Sequence, residues 1–410
     1  MKKKILLKGP VLTRSGYGEQ ARFALRSLRS REDLFDIFIQ PLQWGQTSWV
    51  SELDEERQWI DRIIEKTIAY IHQGGKFDVS LQVTIPNEFS KLATENIGYT
   101  AGIETNKVSH QWIQKVNEMD KVLVISNHSK NVFEDTVYEA QFQETGEKVI
   151  LKTNVPIETI NYPVKSFSNL PELDLGITTS FNFVSVAQFG PRKNLHNTIK
   201  WFIEEFRNED VGLVLKSNFA KNCLMDRKRL FVELRRFIKQ QGEKQCKIYL
   251  LHGDMTDAEM HSLYNHPKIN AFVSLPHGEG FGLPIFEAAY SGLPVVTVGW
   301  SGQLDYLVDP NGNERFYNVA FDMQHVQKEV HWDGVIIPES MWAFARESSA
   351  KEQMRKCYES NSRQDSLNFA NELLERFSED NMYKQFVDHI YKPDPELEMW
   401  LKKLDEMEDL

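Results

Sequence analysis

The chain of 410 residues is longer than one ordinary domain and predicts two large ones. Its composition, 41% hydrophobic and 26% charged, excludes a mainly disordered chain, and no apolar run approaches the roughly 18 residues that cross a bilayer. A net charge of -11 argues against general affinity for polyanions, although nine basic residues and one acidic residue, Glu19, lie between Lys2 and Arg31, while Glu396 to Leu410 is acidic.

The basic start resembles a signal-peptide leader only briefly, because Lys8, Gly9 and Pro10 end its apolar stretch; it reads as a first buried strand. Further strands are expected at 35–40, 77–83, 97–101, 122–126 and 149–153, with helices between most of them. In the first helix Ala21, Ala24, Leu25 and Leu28 form an apolar face at i, i+3, i+4, i+7. Residues 161–175, with Pro163, Pro171 and two serines, lack periodicity and read as a linker. The second half repeats the alternation, with strands at 181–187, 212–216, 247–251, 269–275 and 294–298; these short apolar runs bounded by turns suit buried parallel strands. The fold class is therefore α/β, with two Rossmann-like, doubly wound domains facing across a cleft. The expected divisions are a first domain at 1–160, the linker 161–175, a second domain at 176–375, and a C-terminal helical segment at 376–410. Parallel sheets of this kind bind ligands at the carboxyl ends of their strands.

The most informative stretch runs from Pro276 to Val296. It leaves a strand, crosses a turn containing Gly280 and Gly282, opens a helix near Leu283 with Pro284 close to its first position, and passes Gly292 into the next strand. Unpaired N–H groups at such a helix start carry an effective charge of about +0.5 and suit a diphosphate. Glu279 and Glu287 flank that cradle, and carboxylates accept hydrogen bonds from vicinal hydroxyls of a sugar or ribose. The spacing of eight also arises by chance in a chain rich in glutamate.

This stretch resembles the Glu-x7-Glu signature of the retaining glycosyltransferases of family 4, the glycosyl transferases of group 1, whose fold is GT-B; the likeness extends over most of the chain. The resemblance implies that Glu279 contacts the donor sugar, that Glu287 contacts the ribose, and that the backbone of Gly280, Phe281, Gly282 and Leu283 lies at the sugar and phosphates. Residues 184–195 resemble the family's segment that supplies an arginine and a lysine to the diphosphate. Lys193 matches the lysine, whereas Gln188 stands at the usual arginine position and Arg192 is a possible substitute. Lys193 reads otherwise as a solvated lysine in a first helical turn. Residues 14–21 resemble the family's glycine loop, which implies that Gly16 and Gly18 face the donor; a lone Gly-x-Gly is also common in plain turns, and the third glycine of a dinucleotide fingerprint is missing. Residues 97–106, followed by Trp112, resemble a segment near donor sugar and acceptor. Glu104 is then a third catalytic candidate beside Glu279 and Lys193, or simply a surface-loop glutamate.

Arg22, Arg26 and Arg29 form a basic stripe on the first helix, either a solvated face or a surface for an anionic acceptor. His252, His261, His266 and His277 lack metal-ligand spacing and no Asp-x-Asp occurs, so neither a metal nor another cofactor is expected beyond the nucleotide diphosphate sugar itself. The implied activity is retaining, metal-independent transfer from that donor to an acceptor hydroxyl. A glycan, a lipid-linked molecule, a protein and, in a phage-type variant, a DNA base remain open as acceptors, as does a non-catalytic sugar-nucleotide or nucleic-acid binding protein. Three widely spaced cysteines, Cys223, Cys246 and Cys357, fit no disulfide framework and suggest the cytoplasm.

Overall fold

The structure, a computed structural model, describes residues 2–45, 47–141, 148–360 and 363–391. The first sheet is built from β1 (Lys3–Gly9), β2 (Phe35–Pro41), β3 (Val79–Val83), β4 (Glu95–Thr100) and β5 (Lys121–Val124). After a hairpin of β6 (Tyr138–Gln141) and β7 (Lys148–Leu151) it is completed by β8 (Ile157–Thr159). Its order is β2-β1-β3-β4-β5-β8 and every pairing is parallel. Helices α1 (Gly16–Arg29), α2 (Glu55–His72), α3 (His110–Val116) and α4 (Asn127–Asp135) connect the strands.

The second sheet contains β9 (Phe181–Val186), β10 (Val211–Lys216), β11 (Lys247–Leu251), β12 (Ala271–Ser274), β13 (Val295–Val298) and β14 (Tyr317–Val319). Its helices are α5 (Leu195–Glu205), α6 (Leu224–Gln240), α7 (Asp257–Asn265), α8 (Leu283–Tyr290) and α9 (Leu304–Leu307). The order β11-β10-β9-β12-β13-β14, again parallel, is the doubly wound arrangement with its switch point between β9 and β12. An antiparallel pair, β15 (Phe321–His325) and β16 (Met341–Ala345), precedes α10 (Glu347–Glu359), α11 (Arg363–Arg376) and α12 (Glu379–Ile390).

Local chemistry explains the elements next to the cleft. Ser15 caps α1 by accepting a 2.9 Å hydrogen bond from the Gly18 amide, and Ala21, Ala24, Leu25 and Leu28 are all buried on its inner face. Gly282 adopts φ +85° ahead of α8, with Pro284 in the first helical turn, and Gly292 adopts φ +77° behind it; these are left-handed conformations that glycine enters without cost. One expected strand differs. The run at 149–153 belongs to the hairpin rather than to the main sheet: Val149 and Ile150 are 37% and 65% exposed, and β8, too short to be recognised from its sequence, occupies the sixth place.

The linker crosses once between the sheets and α12 crosses back to lie on α1. Phe386 meets Phe23 and Tyr99 at ring distances of 5.3 and 5.4 Å, and the Val164 amide donates to the Phe377 carbonyl at 2.8 Å, joining the two crossings. Tyr391 meets Phe35, while the Asp-Pro-Glu motif at 394–396 and the acidic end lie outside the described residues. Phe386 is fully buried, so Phe386→Ala is expected to lower unfolding stability by about 3–5 kcal/mol in chemical denaturation; a loss under about 1 kcal/mol would contradict this packing.

Candidate active site

Two strand-to-helix turns of the second sheet converge at its switch point. After β9 the chain makes a short turn at Pro191–Lys193, and Asn194, at φ +53°, donates to the Leu275 carbonyl at the end of β12. After β12 comes the turn 276–282. It is held from behind by a loop that sequence reasoning did not single out: Glu279 N donates to Ser301 Oγ at 2.9 Å and Gly302 N to the Glu279 carbonyl at 3.0 Å. Ser301 itself stands at φ +83° and donates to Gln303, whose amide donates to Val298 O at 2.9 Å. The signal is a positive φ on a serine between Trp300 and Gly302, which only the backbone shows.

The turns bring Glu279, Lys193, Arg192 and Glu104 together. Lys193 Nζ lies 2.5 Å from Glu279 Oε1, Arg192 Nη1 lies 3.0 Å from Oε2, and the same Nη1 donates to the Gly278 carbonyl at 2.8 Å. Arg192 Nη2 reaches Glu104 Oε1 of the first domain at 3.4 Å, so the cluster spans the cleft. The Glu279 side chain is 8% exposed. Burial opposes its ionisation, yet the charges of Lys193 and then Arg192 hold its carboxyl below the ordinary range. For Lys193 burial outweighs the attraction of Glu279 and lowers the ammonium, whereas for Arg192 the carboxylates of Glu104 and Glu279 overcome burial and raise the guanidinium.

The glycines of the turn meet protein backbone closely. A Cβ on Gly278 would lie 2.0 Å from the Glu104 carbonyl oxygen, one on Gly280 would lie 2.5 Å from the Ala101 oxygen, and one on Gly302 would lie 1.9 Å from the Gly280 oxygen. Three strands of chain thus stack at the mouth of the cleft. Phe281 turns into the core against Tyr162, Phe286 and Tyr306, leaving its backbone at the turn, and Leu283 is half-buried at the start of α8.

Glu287 lies in a second polar group. Its Oε2 accepts from the Tyr264 hydroxyl at 3.1 Å, beside Lys165 of the linker, which pairs at 2.8 Å with both Glu19 of the first domain and Asp257 of the second. A cavity of about 30 Å³ lies among Lys165, Asp257, Tyr264 and Glu287. Burial pushes the Glu287 carboxyl up to about 7, against the pull of Lys165 and aided by Asp257.

Other expected site residues have different surroundings. Gly16 opens onto free space, but a Cβ on Gly18 would lie 2.0 Å from the Thr13 carbonyl, so Gly18 is needed for packing of the loop beneath α1. Gln188 is exposed and its amide donates to the Phe219 carbonyl. The basic stripe has partners within the first domain. Arg22 binds Glu19 and the carbonyls of Val11 and Thr13, Arg26 binds Glu19 and Glu56, and Arg29 covers the Trp59 ring at 4.7 Å. These side chains neutralise local carboxylates, cap carbonyls and cover a ring. His128 was not anticipated. It follows the end of β5, edges the Trp300 ring at 4.9 Å, has a buried Nε2 without a partner among the described residues, and is kept neutral by burial, which lowers it to about 4.

Two parallel-sheet domains with a cationic, glycine-lined turn between them have the architecture of the GT-B fold. Residues 174–330 match the sequence profile of the family described as Glycosyl transferases group 1. The chain is similar over 95% of its length to 99% of Anabaena Alr3699/HepE, solved with UDP and glucose, at 15% identity and a TM-score of 0.57. It is similar over 95% to 98% of sucrose-phosphate synthase from Thermosynechococcus elongatus, at 11% identity and 0.59, and over 96% to the whole of the E. coli chain described as trehalose-6-phosphate bound with UDP-2-fluoro glucose, at 9% and 0.57. No curated protein sequence matches the chain. Among the described residues no helix is long and apolar enough to cross a membrane.

The raised Glu287 carboxyl has a signed consequence. Its folded value of about 7 exceeds the ordinary 4.5, so the native state holds this proton more tightly and loses stability as pH rises from 4.5 to 7. Glu287→Gln is expected to flatten that fall in melting temperature relative to the unaltered protein; parallel curves would refute the assignment.

Proposed function

We propose that the protein transfers a sugar, with retention at the anomeric carbon and without a metal ion, from a nucleotide diphosphate sugar to an acceptor hydroxyl. The observation that carries this reading is the convergence of Lys193 and Arg192 on Glu279 beside the start of α8. Two cations and the positive end of a helix supply at one place what a departing diphosphate needs. Arg192, rather than Gln188, takes the arginine's part, as its contact with Glu279 supports. UDP in the solved similar proteins supports a UDP-sugar as the first donor to test.

In this reading Glu279 exchanges its cations for hydroxyls of the donor sugar, and the freed ammonium and guanidinium turn to the phosphates. Glu287 accepts from the ribose, and the amides of 280–283 border the sugar diphosphate. Glu104 stays close to the reacting centre through Arg192. The acceptor oxygen attacks the anomeric carbon on the face that the diphosphate leaves. The carbon–oxygen bond to the donor breaks as the glycosidic bond forms, and the acceptor proton passes to a phosphate oxygen of the leaving group. Closure of the first domain keeps water from hydrolysing the donor. The three free thiols support a cytoplasmic setting.

Lys193→Ala is expected to lower kcat by roughly 10²–10³-fold while donor still binds, read by titration calorimetry beside a turnover assay. Glu279→Gln is the companion variant, since removing the side chain entirely would strand two buried cations. Undiminished turnover in Lys193→Ala, loss of turnover on adding EDTA, or a product of inverted anomeric configuration would each contradict a part of this reading.

A further inference from the structure

Helix α6 presents an unusual outer face. Leu224, Met225, Phe231 and Val232 are 72%, 81%, 53% and 66% exposed, a concentration of large apolar groups on one solvent-facing helix. Its inner face is separately satisfied: Leu230 and Leu234 are buried in the second domain, with Phe237 and Ile238 packed beside them. The exposed apolar residues therefore do not result from a helix with too little core to cover.

Cations occupy the same outer face. Leu224, Lys228, Phe231 and Arg235 follow i, i+4, i+7, i+11, and Val232, Arg236 and Lys239 continue the neighbouring row that begins at Met225. Lys228, Arg235, Arg236 and Lys239 are exposed, and none is ion-paired among the described residues. The helix holds six cations against two carboxylates, a net of +4, in a chain whose total is -11. One of the carboxylates is committed inward: Asp226 accepts from the amides of Phe219, Ala220 and Lys221.

We propose that α6 is a surface contact for anionic lipid bilayers, with its four exposed apolar side chains entering the interface and its lysines and arginines pairing with headgroup phosphates. Long cationic side chains reach outward to headgroups while apolar neighbours settle deeper, which is the chemistry this interleaving provides. The area argues against a second protein copy as the occupant. A 17-residue helix is about 25 Å long and presents a strip about 10 Å wide, roughly 250 Å², whereas a stable interface buries about 800 Å² on each partner. The charge contrast with the rest of the chain also sets an orientation, since an anionic surface attracts this helix and repels the acidic remainder. Because α6 begins at the carboxyl end of β10, the end of the sheet that carries Lys193 and Glu279, binding through it sets the cleft beside the lipid surface.

The test is sedimentation of the full chain with vesicles of phosphatidylcholine, alone and with one third phosphatidylglycerol. Binding is expected only with the anionic lipid and is expected to fall with added salt. A variant carrying Lys228→Gln, Arg235→Gln, Arg236→Gln and Lys239→Gln should lose affinity by roughly a hundredfold or more, from about a fivefold factor per cation. A second, carrying Leu224→Gln, Met225→Gln, Phe231→Gln and Val232→Gln, should lose at least about tenfold. All eight positions face solvent, so the melting temperature of each variant should match the unaltered protein. Absence of binding by the unaltered chain, or binding undiminished in both variants, would overturn the proposal. Concentration-dependent dimerisation abolished by the apolar variant, with no vesicle binding, would also overturn it and assign the face to a second copy.

Discussion

Opposite charges held away from water at the cleft mouth constrain the rest of this molecule. Glu279 is a carboxylate with little access to solvent, and burying it without cations would cost several kcal/mol. Its neighbours are fixed accordingly: Lys193 and Arg192 from the turn after β9, and the Ser301 loop gripping its backbone from behind. The glycines at 278, 280 and 302 follow from the same requirement, because side chains there would drive these segments apart.

The two carboxylates of the Glu-x7-Glu pattern have opposite electrostatic surroundings. Glu279 sits between two cations in contact with it and is held ionised, whereas burial dominates at Glu287 and brings its carboxyl near neutrality. Both groups are linked across the cleft, one through Arg192 to Glu104 and the other beside Lys165, which pairs with Glu19. Relative movement of the domains thus changes the electrostatic surroundings of both positions.

Much of this was legible in the residues. The alternation of buried runs and amphipathic helices reveals two parallel sheets because its periodicities are local, and the Pro276–Val296 stretch displays its turn, helix start and helix end in Gly282, Pro284 and Gly292. Long-range pairing is different. Nothing near Arg22 or Arg26 in sequence reveals that Glu56, 30 residues from Arg26, and the carbonyls of Val11 and Thr13 engage them, so a paired helix face looks like a free one. His128 and Ser301 escaped for a related reason: each matters through a neighbour distant in the chain, Trp300 in one case and Glu279 in the other. The outer face of α6 was readable residue by residue, but its exposure depends on Leu230 and Leu234 having filled the inner contact.

The double crossing between domains bears on how this protein can move. The outbound segment near Val164 and the returning segment near Phe377 are fastened by one backbone hydrogen bond, and α12 is then anchored on α1 by aromatic packing. Two polypeptide passages fastened together act as a strap: they permit a swing about their common point and resist twisting or sliding. The pivot is therefore made from chain segments 213 positions apart in sequence, so cutting the chain within the linker at 161–175 would leave the last helix, which packs on the first domain, attached to the second.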